Sequence, residues 1–273
     1  MTFAIRFPVV LVLLSLFLFP ALAAAQSTGL ARLSDRDDLL GWEAVGRLDI
    51  RGRGYCSGTL IATDLVLTAA HCVYDKTTKA MYEPQSLTFR AGLRDGTAIA
   101  ERTVSQIAAT EHFVPGRALN LNQVRHDVAL LRLAKPIVSS DADPFILHSG
   151  QQVGNTVSVT SYGQGRSEAL SRQRRCNVIA AAEDVMAFDC DVTFGSSGAP
   201  VFANVGSRGR IVSVISGVGS LEGRKVALGP TLPATVARLK VRLRNMPRPV
   251  PDQIRRLSVG DRNKSTGAKF IRN

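Results

Sequence analysis

The chain has 273 residues, and its 34 Lys and Arg against 22 Asp and Glu give a formal net charge of +12. Hydrophobic residues make up 45% of it and charged residues 21%, a composition that is ordinary for a folded globular protein and excludes wholesale disorder. This length suffices for one large domain or two small ones. A polytopic membrane protein is excluded, because the one long apolar run of the sequence lies at the extreme N-terminus.

The N-terminal apolar run has the features of a cleaved signal peptide. Arg6 precedes an apolar core at residues 9–19, which is too short to cross a bilayer comfortably. Three alanines at residues 23–25 supply the small side chains that a signal peptidase needs. We predict that residues 1–25 are removed before Gln26 and that the protein is exported to the periplasm or the medium, without a transmembrane span. An uncleaved anchor is the alternative.

The four cysteines are an even number in an exported protein, which favours two disulfides. Proximity in the sequence suggests the pairs Cys56–Cys72 and Cys176–Cys190. Zinc is the alternative ligand, because His71 adjoins Cys72, but the chain has no Cys-x-x-Cys or His-x-x-x-His pair. We therefore expect two disulfides, no metal and no cofactor.

Short β-prone segments, bounded by Gly, Pro, Asp or Ser, recur along the body of the chain. No long helical pattern separates them, which is typical of an all-β sandwich or barrel. A divide near residues 136–144 gives two halves of similar size. The predicted strands cover residues 44–50, 59–62, 65–67, 127–133, 156–160, 200–202 and 210–215.

One helix is predicted near the C-terminus, at residues 232–245. Its apolar residues recur at i, i+4, i+7 and i+11, and Pro233 is tolerated in the first turn. Basic residues occupy most of the other face, so we expect the helix to dock on the β-structure through its apolar stripe. This stripe consists of Leu232, Val236, Leu239 and Leu243.

Most of the positive charge belongs to the C-terminal region. From Arg238 onward the chain has 11 basic residues against 2 acidic ones. Residues 246–273, the basic tail, contain three prolines and few apolar groups, so we predict that they are disordered. Such a tail predicts a weak contact with anionic surfaces. Its single aromatic residue, Phe270, argues against specific nucleic-acid recognition.

Three motifs bring together residues of complementary chemistry: His71 in Thr-Ala-Ala-His-Cys, Asp127 in His-Asp-Val-Ala-Leu-Leu, and Ser197 in Gly-Ser-Ser-Gly-Ala-Pro. A serine hydroxyl is a poor nucleophile at neutral pH, so it needs a base, and the base needs a partner that fixes its tautomer. Ser196 and His126 are alternatives for the nucleophile and the base. The frame Gly-x-Ser-Gly favours Ser197.

Together these motifs resemble the trypsin/chymotrypsin-like serine proteases, over roughly residues 41–243. Cys56 fits the cysteine that this family bridges to the one after its histidine. The region around Cys176 and Cys190 looks more like the bacterial secreted branch that includes glutamyl endopeptidases. The resemblance implies an all-β fold of two six-stranded antiparallel β-barrels, with the active site between them and a C-terminal helix. The expected bounds are a protease domain at 26–245, an N-terminal barrel at about 41–140 and a C-terminal barrel at about 141–231.

The resemblance also implies a role for each motif residue. Ser197 would be the nucleophile, His71 would take its proton, and Asp127 would orient His71. The backbone N–H groups of Gly195 and Ser197 would form the oxyanion hole. Glycine suits position 195, because a bare backbone can turn sharply and approach a substrate closely.

Substrate recognition is predicted from three further residues. Ser216 resembles the family's serine near the aspartate, and the strand that continues to Gly217 would pair with the substrate backbone. Asp191 lies six residues before Ser197, where trypsin recognises Lys or Arg, although relatives with other preferences also carry an aspartate there. Glutamate is a less favoured substrate residue, because Ile215 stands where glutamyl endopeptidases use a histidine.

The sequence therefore predicts a secreted, monomeric serine endopeptidase that acts on proteins or peptides. The alternatives are a catalytically inactive homologue and a polyanion-binding protein that acts through its tail. The digestive members of the family have an aspartate directly before the serine, which binds the new N-terminus of the cleaved zymogen. Ser196 stands there in this chain, so that switch is absent. A short pro-segment within residues 26–41, cut after Arg32 or Arg36, is a further alternative.

Overall fold

A computed structural model describes residues 28–149, 153–205 and 208–247 of the chain. The predicted signal peptide and residues 248–273 of the predicted tail lie outside the described residues. The strands are β1 (Leu30–Arg32), β2 (Val45–Ile50), β3 (Gly54–Ala62), β4 (Leu65–Thr68), β5 (Leu87–Ala91), β6 (Ala100–Ala109), β7 (Ala129–Leu133), β8 (Thr156–Gly163), β9 (Arg166–Ala182), β10 (Val185–Phe188), β11 (Pro200–Val205), β12 (Arg208–Val214), β13 (Gly217–Leu221) and β14 (Arg224–Pro230). The helices are α1 (Leu121–Arg125) and α2 (Pro233–Asn245), with 3₁₀ turns at Asp37–Leu39, Ala70–Val73 and Pro84–Ser86.

Strands β2 to β7 form a closed antiparallel barrel in the order β2-β3-β4-β7-β6-β5. Apolar and polar residues alternate along β5, and the apolar ones face the barrel interior. Leu87, Phe89 and Ala91 are fully buried, while the residues between them are not. The ring of Phe89 lies directly over Gly46, where a Cβ would come within 2.4 Å of it. Glycine therefore makes room for the largest side chain of this core.

The remaining strands form an eight-stranded sheet in the order β12-β11-β8-β9-β10-β14-β13, with β1 paired to β9. Strand β9 is the longest, and its 17 residues pair with β8, β10 and β1. Tyr162 joins the two β-structures: it is fully buried, and its hydroxyl donates a hydrogen bond to the carbonyl of Leu93 at 3.0 Å. Burial raises the pKa of this phenol far above its ordinary value.

Helix α2 has the position and the buried face that the periodicity predicts. Val236, Leu239 and Leu243 are almost fully buried, and Arg242 donates a hydrogen bond from its guanidinium to the carbonyl of Ala109 at the end of β6, at 3.1 Å. No helix among the described residues is both long and apolar enough to cross a bilayer.

Both disulfides pair as the sequence suggests. Cys56 and Cys72 have Cα atoms 6.2 Å apart, and those of Cys176 and Cys190 are 5.1 Å apart. The sulfur atoms of the first pair lie within 4.8 Å of His71, as the zinc alternative requires. They are bonded to each other, however, so this cluster presents no thiolate to a metal.

Candidate active site

His71 and Asp127 meet beside the first barrel. His71 lies in the 3₁₀ turn Ala70–Val73 that follows β4, and Asp127 lies just before β7. The carboxylate accepts a hydrogen bond from the His71 backbone N–H at 2.8 Å and from the ring Nδ1 at 2.7 Å. It also accepts one from the hydroxyl of Ser216 at 2.5 Å, and Asp127 is only 2% exposed. Its position and orientation are therefore fixed from three sides.

Opposing effects set the pKa of His71. Burial lowers it, whereas the charge of Asp127 and the hydrogen bond to that carboxylate raise it. The Lys76 ammonium makes a smaller contribution that lowers it, and the net result is a pKa above the ordinary value of 6.5. Because an ionised carboxylate can only accept, Nδ1 carries a proton in the neutral ring. Nε2 is then left with a free lone pair, as a general base requires.

A tight turn leads into Ser197. The N–H of Ser196 donates to the carbonyl of Thr193 at 3.0 Å, which closes a four-residue turn. Gly195, the third residue of this turn, has φ = +88°, the value that a type II turn requires at that position and that glycine adopts without strain. A Cβ at Gly195 would also come within 2.3 Å of the Tyr55 ring. Glycine is thus required here by both conformation and space.

The direction of the Gly195 N–H is fixed by the neighbouring carbonyl. The C=O of Phe194 accepts a hydrogen bond from the N–H of Gln164 at 2.7 Å. In a trans peptide the C=O and the N–H point in opposite directions. The Gly195 N–H therefore points away from Gln164, and it donates to no acceptor among the described residues.

Ser197 is held between the two β-structures. Its carbonyl accepts a hydrogen bond from the N–H of Ser57 in β3 at 2.8 Å, and the N–H of Gly198 donates to the carbonyl of Ile215 at 2.7 Å. Gly198 has φ = +76°, and a Cβ there would come within 2.2 Å of the Thr68 hydroxyl. Ser197 itself is partly exposed, whereas Ser196 and Gly198 on either side of it are buried.

A cavity of about 430 Å³ contains His71, Gly195 and Ser197 in its lining. The disulfide between Cys56 and Cys72 also belongs to the lining. Several aromatic rings line the cavity, and one of them, the side chain of Phe194, is 81% exposed. The aromatic residues of the lining are Tyr55, Tyr74, Tyr82 and Phe194, and the charged ones are Arg53, Asp75 and Lys76.

The predicted substrate-binding residues lie outside the lining of this cavity. Leu119 packs over Gly217, where its side chain would come within 3.0 Å of an added Cβ. Asp191 is exposed, and its N–H donates to the buried side chain of Gln173 at 2.7 Å. The ammonium of Lys225 lies 3.5 Å from the carbonyl of Val192, so a cation lies next to the segment that carries Asp191.

Residues 38–240 match the sequence pattern of the trypsin family. The chain belongs to this family. A similar curated protein is the collagenase of Hypoderma lineatum, which is 27% identical over 199 residues, 64% of this chain and 71% of that protein. The glutamyl endopeptidase of Bacillus licheniformis is 29% identical over 159 residues, 57% of this chain but only 47% of that enzyme.

Solved structures of proteases support the fold. A Glu endopeptidase in complex with MPD has a TM-score of 0.66 at 16% identity, covering 80% of this chain and 97% of that one. The thermostable serine protease AL20 has a TM-score of 0.59 at 19% identity, covering 75% and 98%. These matches confirm the trypsin-like two-barrel fold. Among the described residues the first barrel is closed and six-stranded as expected, whereas the second β-structure is an eight-stranded sheet.

Two residues that hold the turn before Ser197 are not identifiable from the sequence. Gln164, which orients the turn, and Arg166, whose guanidinium contacts Ser196, both belong to the hairpin of β8 and β9. They lie about thirty residues before Ser197 and stand in no recognisable motif. A half-buried arginine of this kind can be found only once the fold brings it to its partners.

Proposed function

We propose that this chain is an exported serine endopeptidase that uses Ser197, His71 and Asp127. The observation that carries the proposal is the hydrogen bond of 2.7 Å between His71 Nδ1 and the buried Asp127, in a cavity that Ser197 and Gly195 also line. Family membership makes a peptidase the expected activity. The two disulfides agree with export, because such bonds persist in oxidising compartments.

The reaction follows from these positions. The Ser197 Oγ attacks the carbonyl carbon of the substrate while His71 Nε2 takes the hydroxyl proton, and the oxyanion is stabilised by the N–H groups of Gly195 and Ser197. His71 then gives its proton to the amine, the C–N bond breaks, and an acyl-enzyme remains. Water, activated by the same histidine, releases the acid product and restores Ser197.

The proposal is tested with a fluorophosphonate that modifies activated serines. We expect stoichiometric labelling of the purified protein at Ser197, located by peptide mapping, because a serine beside a competent base is the group that reacts. The His71→Ala variant should not label. A folded, disulfide-bonded protein that fails to label, or labels elsewhere, would instead support the inactive homologue.

We propose further that Asp191 and Lys225 act in opposite directions on the choice of the substrate residue before the cut bond. Replacing Asp191 by Asn should lower kcat/KM for Lys or Arg substrates relative to Glu substrates by about tenfold, because a charge-assisted contact contributes about 1.5 kcal/mol. Lys225→Gln, which removes the cation near Val192, should shift the ratio the other way. A peptide library measures both ratios, and a ratio unchanged in both variants contradicts the assignment.

For partners, we propose that proteins or peptides are the substrates and that the enzyme acts as a monomer. The basic tail would add a weak contact with anionic surfaces. That contact is separable from catalysis, because the tail follows α2 and the triad lies before it. Deleting residues 248–273 should therefore leave kcat/KM for a short uncharged peptide unchanged.

A further inference from the structure

The guanidinium of Arg166 lies behind the turn that leads into Ser197. It donates hydrogen bonds to the carbonyl of Ser161 at 2.7 Å, to the hydroxyl of Ser161 at 3.1 Å and to the hydroxyl of Ser196 at 3.2 Å. Burial lowers the pKa of Arg166, and the charge of Asp191 raises it. Moving a charged guanidinium out of water costs free energy. The position of Arg166 therefore suggests a role other than keeping the protein soluble.

Those contacts hold the turn from its inner side. Ser196 is fully buried, and its hydroxyl accepts a hydrogen bond from the N–H of Thr193 at 3.3 Å and donates one to the hydroxyl of Ser161 at 3.3 Å. The Ser196 hydroxyl thus links the last residue of the turn to the N–H of the first, Thr193, and Arg166 donates a hydrogen bond to this hydroxyl. Movement of the turn would break the contact between Arg166 and Ser196.

The outer side of the same turn is held by the same hairpin. The N–H of Gln164, two residues before Arg166, donates to the carbonyl of Phe194 at 2.7 Å and contacts the hydroxyl of Thr193 at 3.2 Å. The guanidinium also stacks against the hairpin backbone, since a Cβ on Gly163 would come within 2.7 Å of it. The β8–β9 hairpin thus restrains the turn through two residues, Arg166 and Gln164.

We propose that Arg166 is a positioning residue that holds the Gly195 N–H in the oxyanion geometry from within the folded chain, so that this enzyme needs no new N-terminus to become active. The inference rests on the proposed function. In the digestive relatives the cation behind the turn is the released N-terminal ammonium, which pairs with an aspartate. Here a serine occupies that position, and a guanidinium that is part of the chain from synthesis reaches it.

The N-terminal segment supports the same conclusion. Leu30 to Arg32 form β1 and pair with β9, and Leu33 and Leu39 are buried. The side chain of Gln173, which also accepts from the Asp191 N–H, donates to the carbonyl of Thr28 at 2.7 Å. Cleavage after Arg32 would cut off a hydrogen-bonded strand, which favours an active enzyme that keeps this segment over one that discards it as a pro-segment.

The first test compares Arg166→Gln with Arg174→Gln, a matched loss of one exposed arginine from the same strand. We expect Arg166→Gln to lower kcat by about 10²-fold, the effect of losing one oxyanion donor, with little change in KM. Arg166→Lys should recover part of this loss. Arg174→Gln should match the wild type.

A second variant keeps the test decisive if Arg166→Gln does not fold. Ser196→Ala removes the hydroxyl that receives the guanidinium, and it should lower kcat in the same direction by a smaller factor while folding normally. If Arg166→Gln or Ser196→Ala lowers only the melting temperature and leaves kcat per folded molecule at the wild-type value, Arg166 is merely structural and the inference is wrong. The proposed function would survive that result, because it is tested by labelling of the wild type.

The last test addresses activation. A chain with a short extra segment before Gln26 should show the kcat of the chain that begins at Gln26, and fluorophosphonate should label both to the same extent. If the extended chain is inactive and gains activity on trimming, then a free N-terminus is required and the inference is overturned.

Discussion

Replacing Ser197 by alanine is expected to lower kcat/KM by on the order of 10⁴-fold or more while the protein folds normally. In the proposed mechanism this substitution removes the atom that forms the acyl-enzyme, while His71, Asp127 and the Gly195 N–H remain. The backbone contacts of Ser197, from Ser57 N–H to its carbonyl at 2.8 Å, do not depend on the side chain. Steady-state hydrolysis of a peptide substrate and the melting temperature measure the two effects separately.

The adjacent serine provides the control. The hydroxyl of Ser196 is buried and contacts Arg166, Ser161 and the Thr193 N–H, so it faces away from an incoming substrate. Ser196→Ala should lower kcat/KM by about tenfold, since a hydrogen bond to a charged group contributes about 1.5 kcal/mol. If Ser196→Ala abolishes activity and Ser197→Ala retains it, the nucleophile has been assigned to the wrong serine.

The parts of the fold that the sequence predicts are those specified over a short range. Helix α2 is recognisable because Val236, Leu239 and Leu243 repeat at helical spacing, and the structure buries these three. Strands β2, β4, β7 and β8 are recognisable from β-branched and apolar runs between turn residues. Each of these signals lies within a dozen residues and needs no knowledge of the partner.

Strand β9 was not predicted, for a physical reason. Three exposed charged residues, Glu168, Arg174 and Arg175, interrupt its 17 residues, so neither an apolar run nor a clean alternation marks it. Its hydrogen bonds to β8, β10 and β1 stabilise it in the folded sheet. Such pairing is a property of the tertiary structure and not of the local sequence.

The candidate site shows the same difference between short-range signals and tertiary contacts. The motifs around His71, Asp127 and Ser197 are local and readable, whereas the supporting contacts are not. Arg166 lies far from Ser196 in sequence, and Tyr55, whose ring leaves no room for a side chain at Gly195, belongs to the other β-structure. Sequence alone thus predicts which groups react, and the structure adds what holds them in place.

Replacing Asp127 by asparagine is expected to lower kcat/KM at neutral pH by on the order of 10⁴-fold. The carboxylate accepts from the His71 N–H, from His71 Nδ1 and from the Ser216 hydroxyl. The backbone N–H of His71 contacts one carboxylate oxygen, whereas Nδ1 and the Ser216 hydroxyl share the other. An amide whose oxygen accepts from the backbone N–H would therefore present its NH2 group to Nδ1 and to Ser216. The ring would then carry its proton on Nε2, where it cannot act as a base towards Ser197.

The pH profile of this variant adds a readout that a loss of folding would not produce. In the proposed mechanism His71 acts as a base only when it is neutral. Burial lowers its pKa, but the charge and the hydrogen bond of Asp127 outweigh burial and raise the pKa above its ordinary value. Wild-type kcat/KM should therefore fall as the pH decreases through this raised pKa. Without the carboxylate the pKa of His71 drops, and the acidic limb of the residual activity should move to lower pH.

The control for this experiment is Asp64→Asn, which removes a carboxylate of the first barrel that pairs with Arg132 at 2.8 Å. It should leave both the rate and the acidic limb unchanged, because a partly exposed ion pair remote from His71 contributes little. An acidic limb that stays in place in Asp127→Asn would mean that another group titrates in the wild type. His71 would then not be the base, and the reading of the 2.7 Å contact as catalytic would be wrong.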